Sequence, residues 1–266
     1  MIGVQQSAGD LLREWRQRRR MTQMDLALEA EISTRHLSFI ETGRAQPSRD
    51  MLLRLAEHLD LPLRDRNTLL LAGGFAPEFP ERPLADPALR APRAAVDALL
   101  AAHEPYPALA IDRHWTLVAA NPAVIRLLDG IEPALLQPPV NVLRLSMHPK
   151  GLAPRVANYS EWRAHVLARV RRQAHTGGDP VLADLLRELS TYQAPEGAEQ
   201  GDARHEHADV IVSLRLTSPA GVLSFISTTT VFGTPVDITL SEIAIESFFP
   251  ADTATADALR ALASRT

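Results

Sequence analysis

The residues of this chain whose types and spacing best suit chemistry lie within residues 21–59. Thr22-Gln23-Met24-Asp25-Leu26-Ala27 is followed by Ile32-Ser33-Thr34-Arg35-His36-Leu37-Ser38-Phe39-Ile40-Glu41-Thr42-Gly43. Two short helical patterns are separated by one tight turn. In the second, Leu37 and Ile40 face inward, which turns Thr34, Arg35, His36 and Phe39 elsewhere. Polar side chains at the start of a short helix, held behind another short helix, have the spacing of a helix-turn-helix, whose second helix lies in the major groove of DNA. The chemistry expected is recognition of base edges.

Bond-making chemistry has thin support. The sequence holds no Gly-x-Ser-x-Gly elbow, no phosphate-cradling glycine loop and no His-Glu-x-x-His, so no catalytic residue and no cofactor is expected. His205-Glu206-His207 has the look of a metal fragment. It lies in a polar stretch, 193–208, with no matching third ligand, and reads as part of a solvated loop; no metal site is assigned. Cysteine is absent, which removes disulfides and cysteine metal sites and fits a reducing cytoplasm. No signal peptide is expected, because no charged segment followed by an apolar one opens the sequence. The longest uncharged run, 216–236, is broken by Pro219, Gly221 and Pro235 and reads as a hairpin rather than a membrane span.

The elements that must position the base readers follow from periodicity and caps. Residues 10–20 predict a first helix with Leu11, Leu12 and Trp15 on one face. Thr22, with Asp25 three residues on, caps the second helix, whose stripe is Leu26, Ala27 and Ala30. Ser33 caps the third and Gly43 suits its left-handed end. Ser48 caps a fourth helix, 49–59, that buries Met51, Leu52, Leu55, Ala56 and Leu59.

Residues 8–72 resemble the phage-repressor (XRE) family of helix-turn-helix domains. The resemblance rests on Thr22-Gln23, Leu26-Ala27, Ala30, Ile32-Ser33, Leu37-Ser38, Glu41-Thr42-Gly43, Pro47-Ser48 and Leu55-Ala56. It implies five helices and a homodimer gripping a near-palindromic operator in double-stranded DNA. It also implies roles. Gln23 would contact a phosphate or a flanking base. Thr34 and Arg35 would touch base edges, with Arg35 forking onto guanine O6 and N7 for about 1–3 kcal/mol of discrimination. Phe39 would pack on a thymine methyl, and Arg44 would hold phosphate. Arg16 and Glu41 match an internal ion pair. His36 joins the candidate readers, although a surface or packing role competes there, as core coverage does for Phe39. Met21 and Arg20 stand where many such domains place a glycine-containing turn.

At 266 residues the chain is long enough for two cores. Its net charge is −4, and residues 1–80 hold eleven Arg against eleven Asp or Glu. Binding must then rest on local placement of Arg, and weak non-specific affinity follows. Five prolines within 76–92 read as an extended, fairly stiff linker, followed by a connecting helix over 93–104. The expected organisation is a DNA-binding domain over 1–75, linker and connecting helix over 76–104, and a second domain over 105–266.

The second domain opens with strands at 108–111 and 115–119 around Asp112-Arg113-His114. Asn121-Pro122 starts a helix, and further helices follow over 160–175 and from Asp179-Pro180 to about 191. Strands return over 210–216, at 222–232 and within 238–249. Two strands, a block of helices and three strands are the order of an α+β PAS-like domain, with a five-stranded antiparallel sheet and room for a ligand beneath its helices.

The whole chain resembles XRE regulators with an MmyB-like ligand-binding domain. The carrying residues include Arg35-His36-Leu37-Ser38-Phe39, Gly43-Arg44-Ala45, His103-Glu104-Pro105-Tyr106-Pro107, Asp112-Arg113-His114-Trp115, Leu143-Arg144-Leu145, His148-Pro149, Phe232-Gly233-Thr234-Pro235 and Ile245-Glu246-Ser247-Phe248-Phe249-Pro250. The resemblance implies a sensor for a small apolar, fatty-acid-like ligand. Trp115, Trp162, Tyr192, Phe225 and Phe232 are candidate walls, although side chains of these types more often form plain core. Arg144 and His148 precede the Gly151 turn. Arg144 there either forks onto a carboxylate head group or pairs with a local acid. The competing reading is an antitoxin-type repressor controlled by a protein partner, with no small ligand.

Overall fold

The computed structural model describes residues 6–195 and 212–264. The His205-Glu206-His207 fragment, Val210 and Ile211 lie outside the described residues. The chain divides into two compact units, Met1–Pro83 with Thr234–Ser241, and Leu84–Gly233 with Glu242–Thr266.

The first unit is all helical: α1 (Ala8–Arg18), α2 (Gln23–Glu29), α3 (Thr34–Glu41), α4 (Arg49–His58) and α5 (Leu63–Ala72). Ser7 with Asp10 and Thr22 with Asp25 form capping boxes on α1 and α2. The side chains of Ser33 and Ser48 cap α3 and α4. Each cap occupies a backbone donor that the helix leaves orphaned. Leu12, Trp15, Leu26, Leu37, Ile40, Leu52, Leu55 and Leu69 form the core. Gly9 lets α1 lie against α3, because a Cβ there would collide with the Ile40 carbonyl. Arg20 takes φ 57°, the left-handed conformation that favours glycine. The turn expected to want glycine is therefore made by an arginine.

The proline-rich segment is not a free spacer along its first half. Asn67 Nδ2 donates to Phe79 O at 2.7 Å, and its Oδ1 accepts from the backbone N–H groups of Glu78 and Phe79. Arg64 forks onto Glu81. Thr234–Ser241 belongs to the same unit. Ile238 N donates to Pro80 O, and the buried Asp237 accepts from Arg82 Nη1 at 3.0 Å.

The second unit begins with a 3-10 turn at Pro87–Leu89 that leads into α6 (Arg90–Ala102). Then come β1 (Ala108–Ile111), β2 (Leu117–Ala120), α7 (Pro122–Leu127), α8 (Val142–Met147), α9 (Tyr159–Gly177) and α10 (Pro180–Thr191). Strands β3 (Leu214–Ser218) and β4 (Gly221–Val231) follow. After the short α11 (Ile238–Ser241) of the first unit, the chain returns as β5 (Ala244–Pro250) and α12 (Thr253–Ala263). The sheet is antiparallel throughout in the order β2-β1-β5-β4-β3. That is the expected PAS-like α+β arrangement. Asn121 is buried and fully used: Oδ1 accepts from Ala108 N and Val124 N, and Nδ2 donates to Leu100 O and Tyr106 O. It fastens α6, β1 and α7 together. The core of this unit runs from Leu109, Trp115 and Phe225 on the sheet to Tyr159, Trp162, Val166 and Val170 on α9.

Candidate nucleic-acid interface and ligand cavity

The face of α3 is set by its buried side. Leu37, Ile40 and Glu41 point inward, Thr34 and Arg35 are exposed, and His36 and Phe39 are half-buried. The guanidinium carbon of Arg35 lies 5.3 Å from the centroid of the Phe39 ring. Arg44 is exposed just after Gly43, whose φ of 70° ends α3. Gln23 opens α2, but its side-chain Nε2 donates to Glu41 Oε2 at 2.8 Å.

Glu41 also receives a fork from Arg16, with Nε at 2.6 Å and Nη2 at 2.8 Å, and Arg16 Nη1 reaches Met21 O. Burial pushes the Glu41 carboxyl up, but the hydrogen bonds from Arg16 and Gln23 and the Arg16 charge outweigh it, so the net direction is down. The Arg16 guanidinium is held above its ordinary value, chiefly by the Glu41 hydrogen bonds. The basic run after Trp15 has structural work. Arg19 donates to the carbonyls of Leu59 and Asp60, Arg18 pairs with Glu14, and both guanidinium groups lie over the Trp15 ring.

In the second unit a cavity of about 110 Å³ lies between α9 and the sheet. Trp115, Trp162 and Phe225 line it together with many Leu and Val side chains. The other candidate walls and anchors do not join them. Arg144 is exposed on α8 and forks onto Glu188 of α10, with Nε at 2.8 Å and Nη2 at 2.7 Å. Tyr192 donates its hydroxyl to the same Glu188 at 2.6 Å, and His148 meets the Tyr192 ring edge to face. These groups tie α8 to α10, so Arg144 takes the local-acid alternative. Phe232 falls one residue past the end of β4 and lies off the cavity lining.

The polar groups on the lining are Ser146, His165, Arg169 and Glu246, none of them foreseen from sequence as a site residue. Two sequence signals could have found the last three. Trp162, His165, Val166 and Arg169 share one helical stripe, and Glu246 is a charge inside an apolar strand run. Arg169 Nη2 donates to Glu246 Oε1 at 2.6 Å and to Thr229 Oγ1 at 2.9 Å, and Thr229 Oγ1 donates to Glu246. The guanidinium also lies 4.5 Å from the Trp115 centroid. Burial pushes the His165 imidazole below its ordinary value, and the Arg169 and Arg172 charges add to that. Among the described residues no helix is long and apolar enough to cross a membrane.

A helix-turn-helix unit joined to a sheet-and-helix unit with an apolar cavity defines a DNA-binding regulator with a ligand-binding domain. Comparison with family models agrees with both halves. Residues 7–69 match a helix-turn-helix domain, and residues 92–262 match the MmyB-like transcription regulator ligand binding domain. The chain belongs to the family of MmyB-like transcription regulators. A search of curated proteins finds no match.

Proposed function

We propose that this regulator binds a near-palindromic operator as a cytoplasmic homodimer and that its second unit senses a small apolar ligand of fatty-acid type. Thr34 and Arg35 read base edges, with His36 and Phe39 beside them, while Arg44 holds phosphate. Gln23 contributes at the start of α2 through the carboxamide oxygen opposite its Glu41 bond. Two recognition helices must stand about 34 Å apart to enter successive turns of the groove. A ligand that alters this separation alters operator affinity.

The observation that carries the sensing half is the cavity itself. It is lined mainly by apolar side chains within the region that matches the ligand-binding family. Its 110 Å³ is less than the roughly 150 Å³ that houses benzene. An acyl chain therefore enters only as the lining side chains give way. Mass spectrometry of what copurifies with the folded protein, joined to thermal melting with added fatty acids, tests the reading. An extracted lipid or a raised melting temperature is expected. No lipid and no shift with any chain length would reject the sensor. Operator selection from random duplexes tests the DNA half, which fails if no symmetric site emerges.

A further inference from the structure

The polar end of the cavity is electrically balanced. Among the described residues Arg169 is the cation on the lining, and its charge is taken up by the buried Glu246, with Thr229 closing the triangle. His165 faces Glu161, Arg169 and Arg172 on its own helix and Glu246 on β5. Burial, followed by the two arginines, disfavours its charged form. Among the described residues no lining cation is left for an anionic head group, and the nearest carboxylate would repel one. An ionised carboxylate would leave water here without a counter-ion, which is strongly unfavourable.

A neutral acceptor meets a different environment. Trp162 is 8 % exposed and its ring lines the cavity. Its indole Nε1–H is, among the described residues, a buried side-chain donor with no partner. A buried donor left unsatisfied is costly, and a single acceptor repairs it. An acyl chain enters only as the lining side chains give way, and an acceptor that it carries past the Trp162 ring is then the partner at hand.

We propose that the cavity takes its acyl ligand with the head group uncharged, and that the ligand's carbonyl oxygen accepts from Trp162 Nε1–H. This rests on reading the second unit as a sensor of an apolar ligand. Two sources share that chemistry, an ester and a fatty acid bound as its protonated form, and pH separates them.

The test uses the full chain titrated with methyl decanoate, decanoate and decane at about pH 6 and about pH 8. Methyl decanoate is expected to bind equally at both values. Decanoate is expected to weaken by about 100-fold over the same interval, because its neutral fraction falls tenfold per pH unit above the carboxyl pKa. Trp162→Phe is expected to lose about tenfold in affinity for the ester while binding decane as before, the loss of one neutral hydrogen bond. Decanoate that binds more tightly than the ester at both pH values would overturn the uncharged head group and leave the apolar sensor standing. Ester affinity unchanged in Trp162→Phe would overturn the donor assignment. The comparison of ester with acid in the unaltered chain decides the head-group charge even if the variant does not fold. If none of the three compounds binds, the sensor reading fails and this proposal fails with it.

Discussion

Arg35 stands one helical turn ahead of Phe39, with its guanidinium carbon 5.3 Å from that ring. The ring restrains a long side chain that would otherwise lose its freedom on meeting DNA. Arg35→Ala is expected to lower operator affinity by about 1–3 kcal/mol and relax a single base position. Binding assays on single-base operator variants check this, and an equal loss on random DNA would reduce Arg35 to a phosphate contact. The Arg16–Glu41 pair gives a second expectation. Glu41→Gln strands a buried guanidinium and is expected to remove about 3–5 kcal/mol of stability in urea unfolding. The sign with pH is fixed by the lowered folded value of Glu41. Its stabilisation is complete above the unfolded pKa of about 4.3 and is lost as pH falls through the lower folded value. The variant should show a flatter acid limb than the parent. This pair was legible because its spacing matches a known family. The Arg169–Glu246 pair was not, because its partners lie 77 residues apart and only the fold brings them together.

Local chemistry announced the helices well. Ser33, Ser48, Thr22 with Asp25, Asn121 and Asp179 cap the helices that the sequence assigned to them. Ends shifted by one to three residues, as with α9 at Tyr159–Gly177 and α6 at Arg90–Ala102. The long uncharged run at 216–236 reads as a hairpin, and most of it is one, in β3 and β4. The short α11 was not legible. Its anchoring partners, Pro80 and Arg82, lie far away in sequence, and no periodic signal marks a four-residue turn. The proline count suggested an extended spacer, yet Asn67 on α5 holds Glu78 and Phe79 by three hydrogen bonds. Asn67→Ala should free that stretch. Faster amide exchange and easier proteolysis at residues 77–82 are the expected readouts, and unchanged protection would show that Arg64–Glu81 suffices. Gly9→Ala should push α1 from α3 and lower the melting temperature, since the obstacle is backbone rather than a yielding side chain.

The balance of charge governs how the protein meets DNA. With a net charge of −4, affinity must come from a few placed arginines. Each phosphate contact contributes about 0.9 to the slope of log affinity against log salt. If Arg44 holds phosphate in both copies of the proposed dimer, Arg44→Ala should flatten that slope by roughly 2, with base preference unchanged. A saturating cavity ligand should raise stability by about 2.7 kcal/mol at 100 times its dissociation constant, and the melting temperature should follow its concentration.

The membership of Thr234–Ser241 in the first unit has a practical meaning for anyone wishing to dissect this regulator. Between Pro83 and Glu242 the polypeptide passes back and forth three times, so one scission liberates neither half whole. A fragment ending just after Pro83 would keep Arg82 but leave behind the buried carboxylate of Asp237, while its complement would carry that acid unmatched. Isolated halves should accordingly be judged as damaged pieces, with the intact polypeptide as the unit of study.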